Sequence, residues 1–141
     1  EVNSFMLIPK AYHQARIALE LGRISDSMYW YYYFEDYMLE YMINCASKDV
    51  PIQLLCMSSL QKLRKYDKEN NTELYRTLLV FLRLERNFLQ TSTKLFIHRS
   101  TLSYRLKRIQ KITGVDLDNP SERLRLLISF YMLEGSSLEC V

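Results

Sequence analysis

The sequence predicts an all-α fold: a helical bundle closed by a C-terminal helix-turn-helix. Three observations carry this. Gly and Pro number only three each in 141 residues, so punctuation is sparse. Apolar residues recur over long stretches at steps of three and four, the period of a helix face. A hydrophobic content of 48% suffices for a core and excludes a disordered chain.

The first helix is expected over residues 9–21. Ala11, Ala15, Ala18 and Leu19 share a face, and Gly22 stands where a glycine ends a helix. Ile24 to Asp26 is a break. Tyr29-Trp30-Tyr31-Tyr32-Tyr33-Phe34 follows. Aromatics alone permit a strand, but apolar residues continue at 34, 37, 38, 41 and 42, so a helix is expected over 28–46. Lys48 and Asp49 mark a loop, and Pro51 suits a first helical turn. Ile52, Leu55, Cys56, Leu60 and Leu63 make a third helix to about Tyr66. Residues 67–71 read as a polar connector, with Asn70 and Glu73 spaced as a capping box. Leu74, Leu78, Phe81 and Leu82 form the next face.

Asn87 and Gln90 flank a short helix over about 88–96. A turn at 97–99 precedes a helix from Arg99 or Ser100 to Thr113, closed by Gly114. Asn119-Pro120 is an N-cap and first-turn pair. Leu124, Leu127, Ile128, Tyr131 and Met132 complete a last amphipathic helix, before a frayed tail from Gly135. Three spans result: 1–48, the helical end of an upstream domain or a linker; 49–135, the helix-turn-helix domain; 136–141, the tail.

The net charge of +3 hides an asymmetry. Residues 1–70 hold 8 Lys/Arg and 9 Asp/Glu, whereas residues 71–141 hold 11 and 7. Between Arg86 and Val115 there is no acid at all. Placed basic charge of this kind suits a polyanionic partner. Three scattered cysteines, Cys45, Cys56 and Cys140, give neither a disulfide framework nor a zinc site, and a reducing cytoplasm fits them best. No metal or cofactor is expected. No apolar run reaches about 18 residues, so no membrane span is expected. The chain starts at Glu1 without a Met and reads as an excised piece of something longer.

On a wheel of residues 100–113, Leu106, Ile109 and Thr113 fall within about 40° of Leu102, and these four should be buried. Ser100, Tyr104, Lys107 and Lys111 lie opposite. A short helix and a tight turn precede this helix, the arrangement in which the second helix enters the major groove of DNA. Ser100, Thr101, Tyr104, Lys107 and Arg108 then face base edges. Lys94, His98, Arg99, Arg105 and Lys111 hold phosphates, which fix register without specifying sequence. Arg105 lies beside the buried stripe, where a structural role is its alternative. The competing reading of the whole run is a solvated cationic face. Against it, such faces normally mix signs to gain pairs four residues apart. The turn lacks the glycine that often sits there.

The pattern Asn87-x-x-Gln90-Thr91-x-x-x-Leu95-x-Ile97-His98-Arg99-x-Thr101-Leu102-x-Tyr104-Arg105-Leu106-x-Arg108-Ile109 resembles the C-terminal helix-turn-helix of PucR-like bacterial regulators, which include purine-catabolism and sugar-diacid regulators. Leu63-x-x-Tyr66-Asp67 and Glu73-Leu74-x-x-Thr77-Leu78 resemble the family's lead-in. Thr113-Gly114-x-Asp116-Leu117-x-x-Pro120-x-x-Arg123 resembles its close. The likeness spans about residues 55–133. Ser92 departs from a usual Ala and Ser100 from a common Asn. Residues 5–46, through Ala11-Tyr12-x-x-Ala15-x-x-Ala18-Leu19, more loosely resemble the end of the family's degenerate cyclase-like module. The resemblance implies a transcription factor, not an enzyme. It would bind double-stranded operator DNA as a homodimer under an upstream effector-sensing domain. The alternative is a helical interaction or dimerisation module whose basic face meets an acidic protein.

The tyrosine-rich helix has three readings: core, a subunit or interdomain contact, or an aromatic ligand pocket. His98 has no carboxylate or nucleophile near it in sequence to make it a catalytic base, and Cys56 reads as a small buried hydrophobe.

Overall fold

The computed structural model describes residues 7–25 and 28–134. Every regular element among them is a helix. The chain divides into two units at Pro51–Ile52.

The first unit holds α1 (Ile8–Ser25) and α2 (Phe34–Ala46). Helix α1 runs straight through Gly22, where the sequence predicts its end. Gly22 is buried, and a Cβ there would lie 2.1 Å from the Tyr32 ring. Its missing side chain is therefore a seat for an aromatic ring rather than a helix stop. The expected helix over 28–46 is also shorter: residues 28–33 are not helical, and Tyr33 is extended at φ −95°, ψ 137°. Extended backbone alternates its side chains. Tyr31 meets Tyr29, Trp30 and Tyr33 edge-on, while Tyr32 turns to Gly22. Trp30 is 91% exposed, and Tyr29, Tyr31 and Tyr33 are exposed too, so these four rings are not core.

The second unit holds α3 (Ile52–Leu55), α4 (Ser58–Asn70), α5 (Leu74–Arg83), α6 (Phe88–Lys94), α7 (Arg99–Thr113) and α8 (Pro120–Glu134). The single helix expected over 52–66 breaks at Cys56–Met57. There the Met57 N–H leaves the helical ladder and donates to Ser129 Oγ of α8 at 3.0 Å. Cys56 is buried as expected, its thiol held above the usual range chiefly by burial.

Helix α4 then absorbs the predicted connector and ends in Asn71, left-handed at φ 51°. No capping box forms between Asn70 and Glu73. Asn70 donates to the Tyr66 carbonyl, and Glu73 gives α5 no side-chain cap. Asp67 does that work from inside α4. Its Oδ1 accepts from the Leu74 N–H at 2.9 Å and from Thr72 Oγ1, and its Oδ2 accepts from the Tyr75 N–H at 2.8 Å. Two of the orphan donors at the start of α5 are thereby satisfied.

Helix α5 is the centre of the core. Leu74 and every residue from Thr77 to Leu82 are buried. Leu60 and Leu63 of α4, Leu102, Leu106 and Ile109 of α7, Val115 and Leu117, and Leu126 and Phe130 of α8 join it in one cluster. Asn119 caps α8 through the Ser121 N–H, as the Asn-Pro pair suggests. The buried face of α8 is not the expected one. Leu126, Ser129 and Phe130 are buried, while Leu124 is 60% exposed and Leu127 is exposed. Apolar residues are spread round this helix, so its period alone does not choose a face. Small Ser129, at the break between α3 and α4, does.

Candidate nucleic-acid interface

Helices α6 and α7 form the corner that the sequence predicts, and local chemistry explains each bend. Asn87 caps α6, its Oδ1 accepting from the Gln90 N–H at 3.0 Å. Thr91 and Ser92 are buried on the inner side of α6, where small side chains let the helix sit close to its neighbours. The turn then uses Phe96 in the left-handed region at φ 54°. The Phe96 and Ile97 N–H groups close it onto the Thr93 and Ser92 carbonyls, at 3.1 and 3.0 Å. A non-glycine residue held this way costs about 1–3 kcal/mol. The absent glycine is thus replaced by an aromatic whose side chain, 95% exposed, meets little.

His98 is the N-cap of α7. Its Nδ1 accepts from the Ser100 N–H at 3.3 Å and lies 2.7 Å from the Ser100 hydroxyl. This fixes the start of α7 at Arg99. Gly114, left-handed at φ 71°, closes the other end. Leu102, Leu106 and Ile109 are buried as the wheel requires, while Thr113 is only partly buried. Ser100, Thr101, Tyr104, Lys107, Arg108 and Lys111 are exposed together along the outer face, with Lys94, His98 and Arg99 exposed at its leading end.

The cations of the acid-free run are not equivalent. Arg86 pairs with Asp118 at 2.5 Å. Arg105 turns inward, donating to Thr77 Oγ1 at 3.0 Å and lying 4.0 Å from Glu73. Arg99 lies over the Phe88 ring, 5.8 Å from its centroid. Among the described residues, Lys94, Lys107 and Lys111 have no ion pair.

Arg108 is held by two tyrosines. Its Nε donates to the Tyr66 hydroxyl at 3.0 Å and its Nη2 donates to the same oxygen, while its Nη1 donates to the Tyr104 hydroxyl at 2.6 Å. These bonds, Tyr66 first, hold its pKa above the ordinary value. A groove of about 680 Å³ runs beside it, lined by Tyr66, Tyr104, Lys107, Arg108, Lys111 and Ile112. Sequence reasoning assigned Tyr66 no role. Its pattern in α4 is that of an interfacial aromatic, and only the contact with Arg108 shows where it points.

Residues 74–132 match the family described as the PucR C-terminal helix-turn-helix domain. This segment is a PucR-type helix-turn-helix. The chain is 35% identical over 127 residues to the carbohydrate diacid regulator of Escherichia coli, covering 90% of this chain and 32% of that protein. It is 37% identical over 70 residues to the DNA-binding transcriptional activator AdeR of Bacillus subtilis, covering 50% of this chain and 17% of AdeR. It is 26% identical over 135 residues to the purine catabolism regulatory protein of the same organism, covering 89% of this chain and 23% of that one. The chain therefore spans a third or less of these relatives. No solved structure matches it. The PucR-type domain includes all of α5, α6 and α7, and α4 lies just ahead of it.

Proposed function

We propose that this chain binds operator DNA sequence-specifically as the C-terminal part of a bacterial, cytoplasmic transcriptional regulator of the PucR-like type. The observation that carries this is the exposed outer face of α7. It is free of acids, follows a closed helix-turn, and presents hydroxyls, one aromatic ring and cations together. Ser100, Thr101, Tyr104 and Lys107 face the bases. Lys94, Arg99 and Lys111 take phosphates, with His98 at the N-terminus of α7 beside them. Arg105, bonded to Thr77, supports the helix from below. The first unit is the end of a preceding module, and an effector-sensing region lies upstream in the whole regulator. The protein works as a homodimer, its two α7 helices about 34 Å apart on successive major grooves.

Duplex binding by the full-length protein across a salt series tests this. With about four to six phosphates neutralised per half-site, log affinity falls with log salt at about 0.9 per phosphate. Salt-independent binding, or none, sinks the reading and favours an acidic protein partner for the same face. Roles separate by binding-site selection. Lys94→Ala weakens all duplexes alike, whereas Tyr104→Ala and Ser100→Ala change the preferred sequence.

A further inference from the structure

We propose that Tyr66 and Arg108 form a phosphate clamp that carries the DNA contact from α7 onto α4, outside the helix-turn-helix itself. The inference rests on the DNA-binding reading and deepens it. It also gives Arg108 a different task from the base-facing one its wheel position suggests.

Tyr66 belongs to α4 and Arg108 to α7, so the contact joins two helices 42 positions apart in sequence. The guanidinium lies 5.4 Å from the Tyr66 ring centroid and 5.9 Å from that of Tyr104. An arginine has five N–H donors. Three bonds are made here, to the two hydroxyls, and two donors are left for a ligand. A free arginine side chain loses rotamer entropy on being fixed. The two tyrosines have already fixed this one before any ligand arrives.

The direction of the tether matters as much as its stiffness. Bases are reached from the crest of a groove helix, where Ser100, Tyr104 and Lys107 sit. The strand backbones line the rims, and a side chain reaches them from the flank. Tyr66 draws Arg108 to the flank, towards α4. There the groove along Tyr66, Tyr104 and Ile112 gathers Lys107, Arg108 and Lys111, and no acid lines it. Arg108 and Lys111 beside a strip with aromatic walls suit a sugar–phosphate strand, and two spare N–H groups suit one phosphate's oxygens. The occupant is thus the backbone of the same duplex whose bases α7 reads.

The test uses the full-length protein, its selected duplex and an unrelated duplex of equal length, over a salt series. Arg108→Ala should weaken both duplexes by the same factor, roughly tenfold for one charge-assisted contact. It should also make the salt slope shallower by about 0.9 per subunit. Tyr66→Phe keeps the charge and the ring but removes the hydroxyl. It should weaken both duplexes several-fold with the slope unchanged, and add nothing when combined with Arg108→Ala. Thermal melts of each variant report the fold separately, and Arg108→Lys keeps the charge should Arg108→Ala fail to fold. Lysine there should keep the slope and lose the coupling to Tyr66→Phe. A preferred sequence changed in Arg108→Ala beyond any change that Tyr104→Phe makes would make Arg108 a base reader and overturn the clamp. Independent effects of the two substitutions, or unchanged duplex binding in both while the parent protein binds, would overturn it too. Absence of salt-dependent duplex binding in the parent protein, with an acidic peptide bound instead, would remove the DNA reading and the clamp with it.

Discussion

The two units of the chain use apolar residues in opposite ways. In the second, α5 is buried nearly all round, and leucines from α4, α7 and α8 close on it. In the first, only Ile17 and Ala18 among the described apolar side chains are buried, while Leu19, Met38, Leu39, Met42 and the rings of Tyr29, Trp30, Tyr31 and Tyr33 stay exposed. Full burial of a large aliphatic side chain stabilises by about 1.5–3 kcal/mol. The second unit collects that many times over, and the first hardly at all. The helix-turn-helix can therefore be rigid on its own core, whereas the helix pair of the first unit carries an apolar surface of the kind that meets another protein surface.

Three substitutions would break or sharpen this contrast. Phe130→Ala empties the middle of the second unit, where Phe130 stacks edge-on with Tyr75 at 4.9 Å. It should cost about 3–5 kcal/mol, read as a large drop in melting temperature. A loss below about 1 kcal/mol would show that the core is looser than its burial implies. Gly22→Ala should cost the first unit less. The new methyl meets the Tyr32 ring near its root, an overpacking penalty of about 1–3 kcal/mol. Better helix propensity returns about 1 kcal/mol of it. Amide exchange should quicken in α1 and α2 and stay unchanged in α5 and α7. Equal quickening in α5 would mean the two units are not independent. Trp30→Ala, at a ring almost wholly in solvent, should shift stability by less than about 0.5 kcal/mol. Because Trp30 is the chain's one tryptophan, its fluorescence is a clean reporter. Emission shifted to the blue in the full-length regulator, relative to this segment, would show that the aromatic run meets another part of the protein.

What the sequence disclosed follows the same division. The outer and inner faces of α7 were legible because Leu102, Leu106 and Ile109 alternate with polar residues at helical period, and Gly114 marks the stop. The face of α8 was not. Leu124, Leu126, Leu127 and Ile128 crowd one turn and leave the period ambiguous until Ser129 is seen against Met57. Gly22 looked like an end because glycine at a helix end and glycine under a ring are the same letter. The tyrosine run carries both a two-residue and a helical alternation, and packing of Tyr32 on Gly22 decides between them. In the site, the exposed cations were readable one by one. The wheel places Arg105 beside the buried stripe, but its partner Thr77, like the capture of Arg108 by Tyr66, depends on helices far apart in sequence, and no local spacing encodes those partners.

Asp67 sets a limit of another kind, on how the connection between α4 and α5 can vary in length. Loops ordinarily accept extra residues at small cost, since closure entropy grows slowly. This one does not have that freedom. The carboxylate that caps α5 sits one turn before the end of α4, and only Asn71, Thr72 and Glu73 separate the two helices. An inserted residue would carry Leu74 and Tyr75 out of reach of Asp67 and break both backbone bonds together. It would also shift α5 against Tyr66, the residue next to Asp67 in the chain. Surface loop though it is, the Asn71–Glu73 turn should be as intolerant of insertion as a core helix.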